Sequence, residues 1–109
     1  MPSRKTLAII STLIVMAFVS VLIVLSLYGG SDNYEPTTDD PVVIFQEACA
    51  RCHGEAGEGG DGIGPRLAGG GRPPAEVVEH VAEGIGRMPR FPNIRGRALE
   101  NLAGYVEGL

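Results

Sequence analysis

Five residues constrain this chain more than any others: Cys49-Ala50-Arg51-Cys52-His53. Two thiols three residues apart, followed at once by an imidazole, form the C-x-x-C-H pattern of c-type haem attachment. The thiols add to the two vinyl groups of one porphyrin. The histidine then lies beneath the ring, where its imidazole can bind iron. Order matters as much as residue type, because a displaced histidine would not sit under a ring pinned at those two points. The chain has two cysteines, so the pattern uses both.

Two other uses of such a pair fit less well. A thioredoxin-like redox pair needs a strand before it and a helix after it. Here a helical stretch leads in, and a glycine-rich stretch follows. A structural zinc site wants four ligands, and beyond these residues the chain offers only His80 and no second cysteine pair. A formal charge of −4 argues against a nucleic-acid binder. There is no carboxylate pair, nucleophile–base set or nucleotide loop, so no enzymatic activity of the chain's own is expected.

The 109 residues leave room for one small domain and little else. Residues 1–28 read as a membrane anchor. Leu7 to Leu27 is 21 residues without a charge, interrupted only by Ser11, Thr12, Ser20 and Ser26. At ~1.5 Å per residue it is about 31 Å long, enough for the hydrocarbon core of a bilayer. Arg4 and Lys5 precede it with no acid nearby, which keeps the N-terminus in the cytoplasm and sends the rest of the chain outside. Tyr28 falls where an interfacial aromatic would sit. The competing reading is a cleaved signal peptide, but its apolar region is usually ~7–15 residues and ends in a small-residue site. Here the stretch is longer and ends Ser-Leu-Tyr-Gly-Gly. Both readings place the cysteines in the same extracytoplasmic compartment.

Residues 29–40 (GGSDNYEPTTDD) are polar, acidic and without apolar period, and read as a flexible linker with a reach of about 17–21 Å. The alternative is a linker packed against a partner subunit. The remaining domain, 41–109, has seven arginines and nine acids. It lacks tryptophan, and its only aromatics are Phe45, Phe91 and Tyr105. So small a domain often leans on a cofactor, and a haem would supply the large apolar body that this core lacks.

Three helices and no strands are expected in the domain, giving an all-α fold. Over Pro41 to Cys52, Asp40 can cap and Pro41 suits the first helical position. Phe45, Ala48, Cys49 and Cys52 share a face, and Glu47 and Arg51 make an i,i+4 pair. Gly54 to Arg72 holds nine of the sixteen glycines and reads as an ordered wrap around a flat cofactor. Over Pro74 to Ile85, Val77, Val78, Val81 and Ile85 form the apolar face, with Gly84 or Gly86 ending the helix. The third helix, Gly96 to Val106, carries the stripe Leu99, Leu102, Ala103 and Val106.

With His53 on one side of an iron, a sixth position remains. Met88 is the one methionine the domain can offer, in Arg87-Met88-Pro89-Arg90 just past a helix. Met/His ligation raises the reduction potential. His80 is the rival, expected on the solvent side of its helix with Glu76, Glu79 and Glu83. An open sixth position that binds a gas is the third case, and would make the chain a haem-based sensor.

The order C-x-x-C-H-G, then Gly64-Pro65-Arg66-Leu67, then Met88-Pro89 across three helices resembles the class I cytochromes c, over about Pro41 to Leu109. That resemblance implies one covalent haem c on Cys49 and Cys52, with His53 and Met88 as axial ligands. It also implies a Pro65 carbonyl serving the proximal imidazole, and Phe45 and Tyr105 packing on the haem where the first and last helices cross. With the anchor included, the chain is similar to the small membrane-anchored cytochromes c of bacteria. Some of these are free electron shuttles. Others are fixed subunits of a quinol-oxidising complex, a haem–copper oxidase or a photosynthetic assembly. The chemistry implied is one-electron transfer on the extracytoplasmic side of the cell membrane. Arg87, Arg90, Arg95 and Arg97, with no acid from Gly84 to Leu99, form a candidate docking face for an acidic redox partner.

Overall fold

The computed structural model describes residues 1–27, 30–60 and 63–109. Tyr28 and the first linker residue, Gly29, lie outside the described residues. An apolar helix, α1 (Arg4–Leu27), precedes a small all-helical domain, and no extended strand occurs among the described residues.

Helix α1 starts where Ser3 Oγ accepts from the Thr6 amide. None of its residues is buried. Its length and composition are those of a helix able to cross a membrane. Three of its hydroxyls are satisfied within the helix: Thr12, Ser20 and Ser26 each donate to the carbonyl four residues back, at 2.8–2.9 Å. These three hydroxyls therefore need no water, which suits a hydrocarbon surrounding.

The first helix of the domain, α2, is a continuous helical run over 41–53. The Asp40 carboxylate accepts from the Val42 amide at 2.9 Å, and Pro41 occupies the first turn. The winding then loosens over Phe45–Cys49, where the Ala50 amide donates to the Phe45 carbonyl five residues back. Such a π turn inserts a residue into the helical count and turns Ala50–His53 relative to the first turn. The helix resumes over Ala50–His53 and ends at Gly54. The expected Glu47–Arg51 pair does not form. Tyr34 donates to Glu47 at 2.7 Å, and Arg51 pairs with Asp32. Neighbours from the preceding segment reach both side chains.

Helix α3 (Pro74–Glu83) begins on a proline and stops at Gly84, whose φ of 73° breaks the helix two residues earlier than expected. Ile85 is consequently outside the helix and exposed, not on the core face. Helix α4 (Arg97–Glu107) lacks a side-chain cap at Gly96, as expected, and buries Ala98, Leu102, Ala103 and Val106.

These helices close on one core of Ile44, Phe45, Ala48, Val81, Phe91, Ile94, Ala98, Leu102 and Val106. Phe45 and Leu102 are fully buried, each worth about 1.5–3 kcal/mol over leaving it in water. The Phe45 and Tyr105 rings meet edge to face, centroids 5.4 Å apart, and join α2 to α4. The 84–96 connection is tied to α3 where the Phe91 amide donates to the Val81 carbonyl at 2.7 Å.

Residues 30–40 run along the domain. The Arg90 amide donates to the Gly30 carbonyl at 3.1 Å, and the Asp32 amide donates to the Arg90 carbonyl at 2.9 Å. Further along, Asn93 donates to the Asn33 carbonyl and Asn101 to that of Asp39. Tyr34 packs against the core.

Candidate functional site

Helix α2 ends in the cysteine–histidine run, so its last turn carries both thiols and the imidazole to the edge of the core. Cys49 and Cys52 are half-buried free thiols, and His53 is buried. Burial pushes the Cys49 thiol up to about 12, the neighbouring Cys52 adding to the shift and Arg51 partly offsetting it. A thiol so reluctant to ionise is a poor redox nucleophile, which counts against a thioredoxin-like role. Among the described residues, no three His, Cys, Asp or Glu side chains gather to hold a metal ion by themselves.

The imidazole is fixed from behind. His53 Nδ1 lies 2.9 Å from the Pro65 carbonyl oxygen. A carbonyl only accepts, so Nδ1 carries the proton and Nε2 keeps its lone pair for a metal. The glycine-rich segment makes this approach feasible. A Cβ on Gly64 would stand 2.6 Å from the Cys52 carbonyl oxygen and 3.0 Å from His53 Nδ1. The Gly59 amide donates to the His53 carbonyl at 2.6 Å, and both Leu67 and Ala68 donate to the Gly57 carbonyl. The wrap is therefore cross-linked through its own backbone.

Met88 is half-buried in a tight turn closed by reciprocal bonds, Ile85 amide to Met88 carbonyl at 3.2 Å and Met88 amide to Ile85 carbonyl at 2.9 Å. Gly84 keeps the turn close to α3, since a Cβ there would meet the Met88 carbonyl at 2.8 Å.

Between these walls lies a cleft in two lobes. One is lined by the core side of the cleft, including Phe45, Val77, Val81 and Leu102. The other runs past Cys52, Ile63, Gly64, Pro89 and Phe91. Three residues border both lobes: Cys49, His53 and Met88. Cys49, His53 and Met88 thus face one shared space, with Cys52 at the edge of its second lobe. The residues fit a haem.

Among the described residues, Phe45 lines the cleft and Tyr105 does not; Tyr105 backs Phe45 instead. Pro65 contributes its carbonyl to His53. His80 differs from expectation. It is half-buried and lines the first lobe with Glu76, because α3 turns its 76/80 and 77/81 rows to the cleft instead of 77, 78 and 81 alone. Sequence reasoning also missed Arg72, which borders that lobe and pairs with Glu76 at 3.1 Å. The i,i+4 spacing of Arg72 and Glu76 was the available signal. Of the four candidate docking arginines, Arg87 borders the cleft, and all four are exposed.

No curated protein and no solved structure matches the chain. Residues 36–106 match the model of a family described as cytochrome C oxidase, cbb3-type, subunit III. That match spans well over half of the 109 residues, and with a C-x-x-C-H helix facing a two-lobed cleft the chain belongs to this family of class I c-type, haem-based electron-transfer cytochromes.

Proposed function

We propose that the chain is a membrane-anchored monohaem cytochrome c that passes single electrons through a His53/Met88-ligated iron, as an electron-transfer subunit of a membrane oxidase complex. The observation that carries the ligation is the cleft itself: His53 and Met88 border both lobes, whereas the rival His80 borders one. When bound, the haem supplies a one-electron Fe(III)/Fe(II) couple, with no bond made or broken in the substrate sense.

The chain's own residues hold and tune that group. Cys49 and Cys52 would fasten its edge through thioethers, and His53 would present Nε2 while the Pro65 carbonyl holds its ring. Met88 would present its thioether, a ligand that favours a positive potential. Phe45, Val81, Leu102 and Val106 keep water from the inner lobe. With His53 and Met88 both holding the iron, no position would stay open for a gas or substrate, which separates this reading from a sensor.

The family description places relatives in an oxidase of the cbb3 type, so the partner read here is a membrane oxidase complex. The anchor reading of α1 puts the domain on the extracytoplasmic side. Arg87, Arg90, Arg95 and Arg97 are candidate docking residues.

The test is spectroscopic. Protein purified from membranes should keep haem through denaturing electrophoresis, and its oxidised form should carry the methionine–iron charge-transfer band. Haem lost on denaturation, or a native reduced form that binds carbon monoxide at neutral pH, would overturn the reading. A haem-stained native gel of gently solubilised membranes then separates a fixed subunit, migrating with a large complex, from a small tethered shuttle.

A further inference from the structure

The segment between α1 and the domain has a consequence for where the cleft faces. Only two residues separate Leu27 from Gly30, and the Gly30 carbonyl accepts from the Arg90 amide. Three residue steps span at most about 10–11 Å. The end of α1 is therefore held within that distance of Gly30, which is hydrogen-bonded to Arg90, itself two residues from Met88. Leu27 in fact borders one surface depression with Ile63, Ile85, Arg87 and Met88.

The chemistry of that depression is unusual for a small soluble domain. Outside α1 and Met1, three large apolar side chains are exposed among the described residues: Val42, Ile63 and Ile85. Two of the three, at 51 % and 55 % exposure, sit here. Arg87 borders the same depression, Arg90 follows it, and no acid occurs from Gly84 to Leu99. Apolar side chains with an arginine at their border and a second close in sequence suit the boundary between acyl chains and anionic headgroups.

We propose that residues 30–40 act as a strap that turns the mouth of the cleft toward the bilayer, with Ile63 and Ile85 seated in the interface and Arg87 and Arg90 against anionic phospholipid headgroups. The proposal rests on reading α1 as the anchor. What selects lipid over a protein surface is continuity, since the patch begins where the spanning helix ends. Electron exchange through this face is then confined to partners lying in the same membrane, and a soluble carrier would be excluded from it.

The test uses the full-length holoprotein in nanodiscs. With Cys49 and Cys52 taken up in thioethers, Ile85→Cys provides the one reactive thiol for a nitroxide label. Glu100→Cys, next to Asn101 at the far end of the strap, is the control. In anionic discs the label at position 85 should collide several-fold more with dissolved oxygen, relative to a water-soluble nickel chelate, than the label at position 100. Adding Arg87→Glu, or using zwitterionic lipid, should reduce that difference. Asp32→Ala with Tyr34→Phe, which removes the strap's side-chain ties to Arg51 and Glu47 and leaves its backbone bonds to Arg90, should also reduce it. Equal water exposure at both positions in anionic lipid would overturn the proposal and leave the patch free for an acidic protein. Failure of the wild-type chain to remain with the disc would overturn it together with the anchor. Haem absorbance of the same sample tests the electron-transfer reading separately.

Discussion

The two walls of the cleft are built in opposite ways. On the His53 side, a long glycine-rich wrap is pinned to the end of α2 by backbone hydrogen bonds, and the imidazole is locked by Pro65. On the Met88 side, a four-residue turn hangs between α3 and Phe91, half-exposed and held by one reciprocal pair of bonds. The first wall is a rigid mount in which steric room is scarce. The second is a short clip whose freedom is limited at its ends. For a redox protein this division is economical. On the proposed ligation, the cysteine–histidine side would set the geometry, and the clip would set the character of the sixth ligand.

Changing each wall in turn should expose that difference. His53→Ala removes the buried donor on the rigid side, and covalent haem yield should collapse to near background, read by haem stain and mass. Met88→Ala removes the donor on the clip. Covalent haem should persist while the methionine–iron band disappears and the potential falls, read by redox titration. Equal haem loss in the two variants would show that the walls are not distinct in role.

A subtler contrast uses glycine. Gly64→Ala must displace the Cys52 carbonyl or the His53 ring, costing about 1–3 kcal/mol as overpacking does, with an altered haem spectrum. Gly86→Ala on the clip has φ 55° but nothing within 4 Å of an added Cβ. It should cost only about 1 kcal/mol, the local left-handed penalty, and leave the spectrum alone. Thermal melts of the holoproteins decide between them.

The smallest effect is expected at the strap. Tyr34→Phe deletes the bond to Glu47, a loss of about 0.5–1.5 kcal/mol. Burial first, and the Glu47 carboxylate next, push the Tyr34 hydroxyl from 10.0 up to about 12. The folded chain thus holds this proton more tightly than the unfolded one. The contribution should be complete below pH 10 and fade as pH rises toward 12. The Tyr34→Phe variant should lack this alkaline loss, as followed by stability against pH.

Much of the haem-binding side was legible because it is written in contiguous residues. The spacing of Cys49, Cys52 and His53 is local, as are Asp40 before Pro41 and the apolar stripe of α4. Features that depend on what arrives from elsewhere were not legible. Glu47 and Arg51 have the spacing of a helical pair, yet each is taken by a neighbour from residues 30–40. Nothing local marks the π turn over Phe45–Cys49. Ile85 carried the helical period of α3, but Gly84 ended the helix and left it outside. His80 looked solvated because a helix pattern gives the apolar stripe without saying which polar row borders it.

The sequence by itself determined the class of this protein: an uncharged run long enough for a bilayer, three amphipathic helices and a haem-attachment run. Each is a one-dimensional signal carried by covalent spacing or helical period. The tertiary structure alone decided which backbone carbonyl holds His53, which residues divide the cleft, and that the polar segment after α1 lies against Arg90. Those contacts join residues twelve to sixty positions apart. The free energy of closing such loops is met only when the whole core forms, so no local pattern records them.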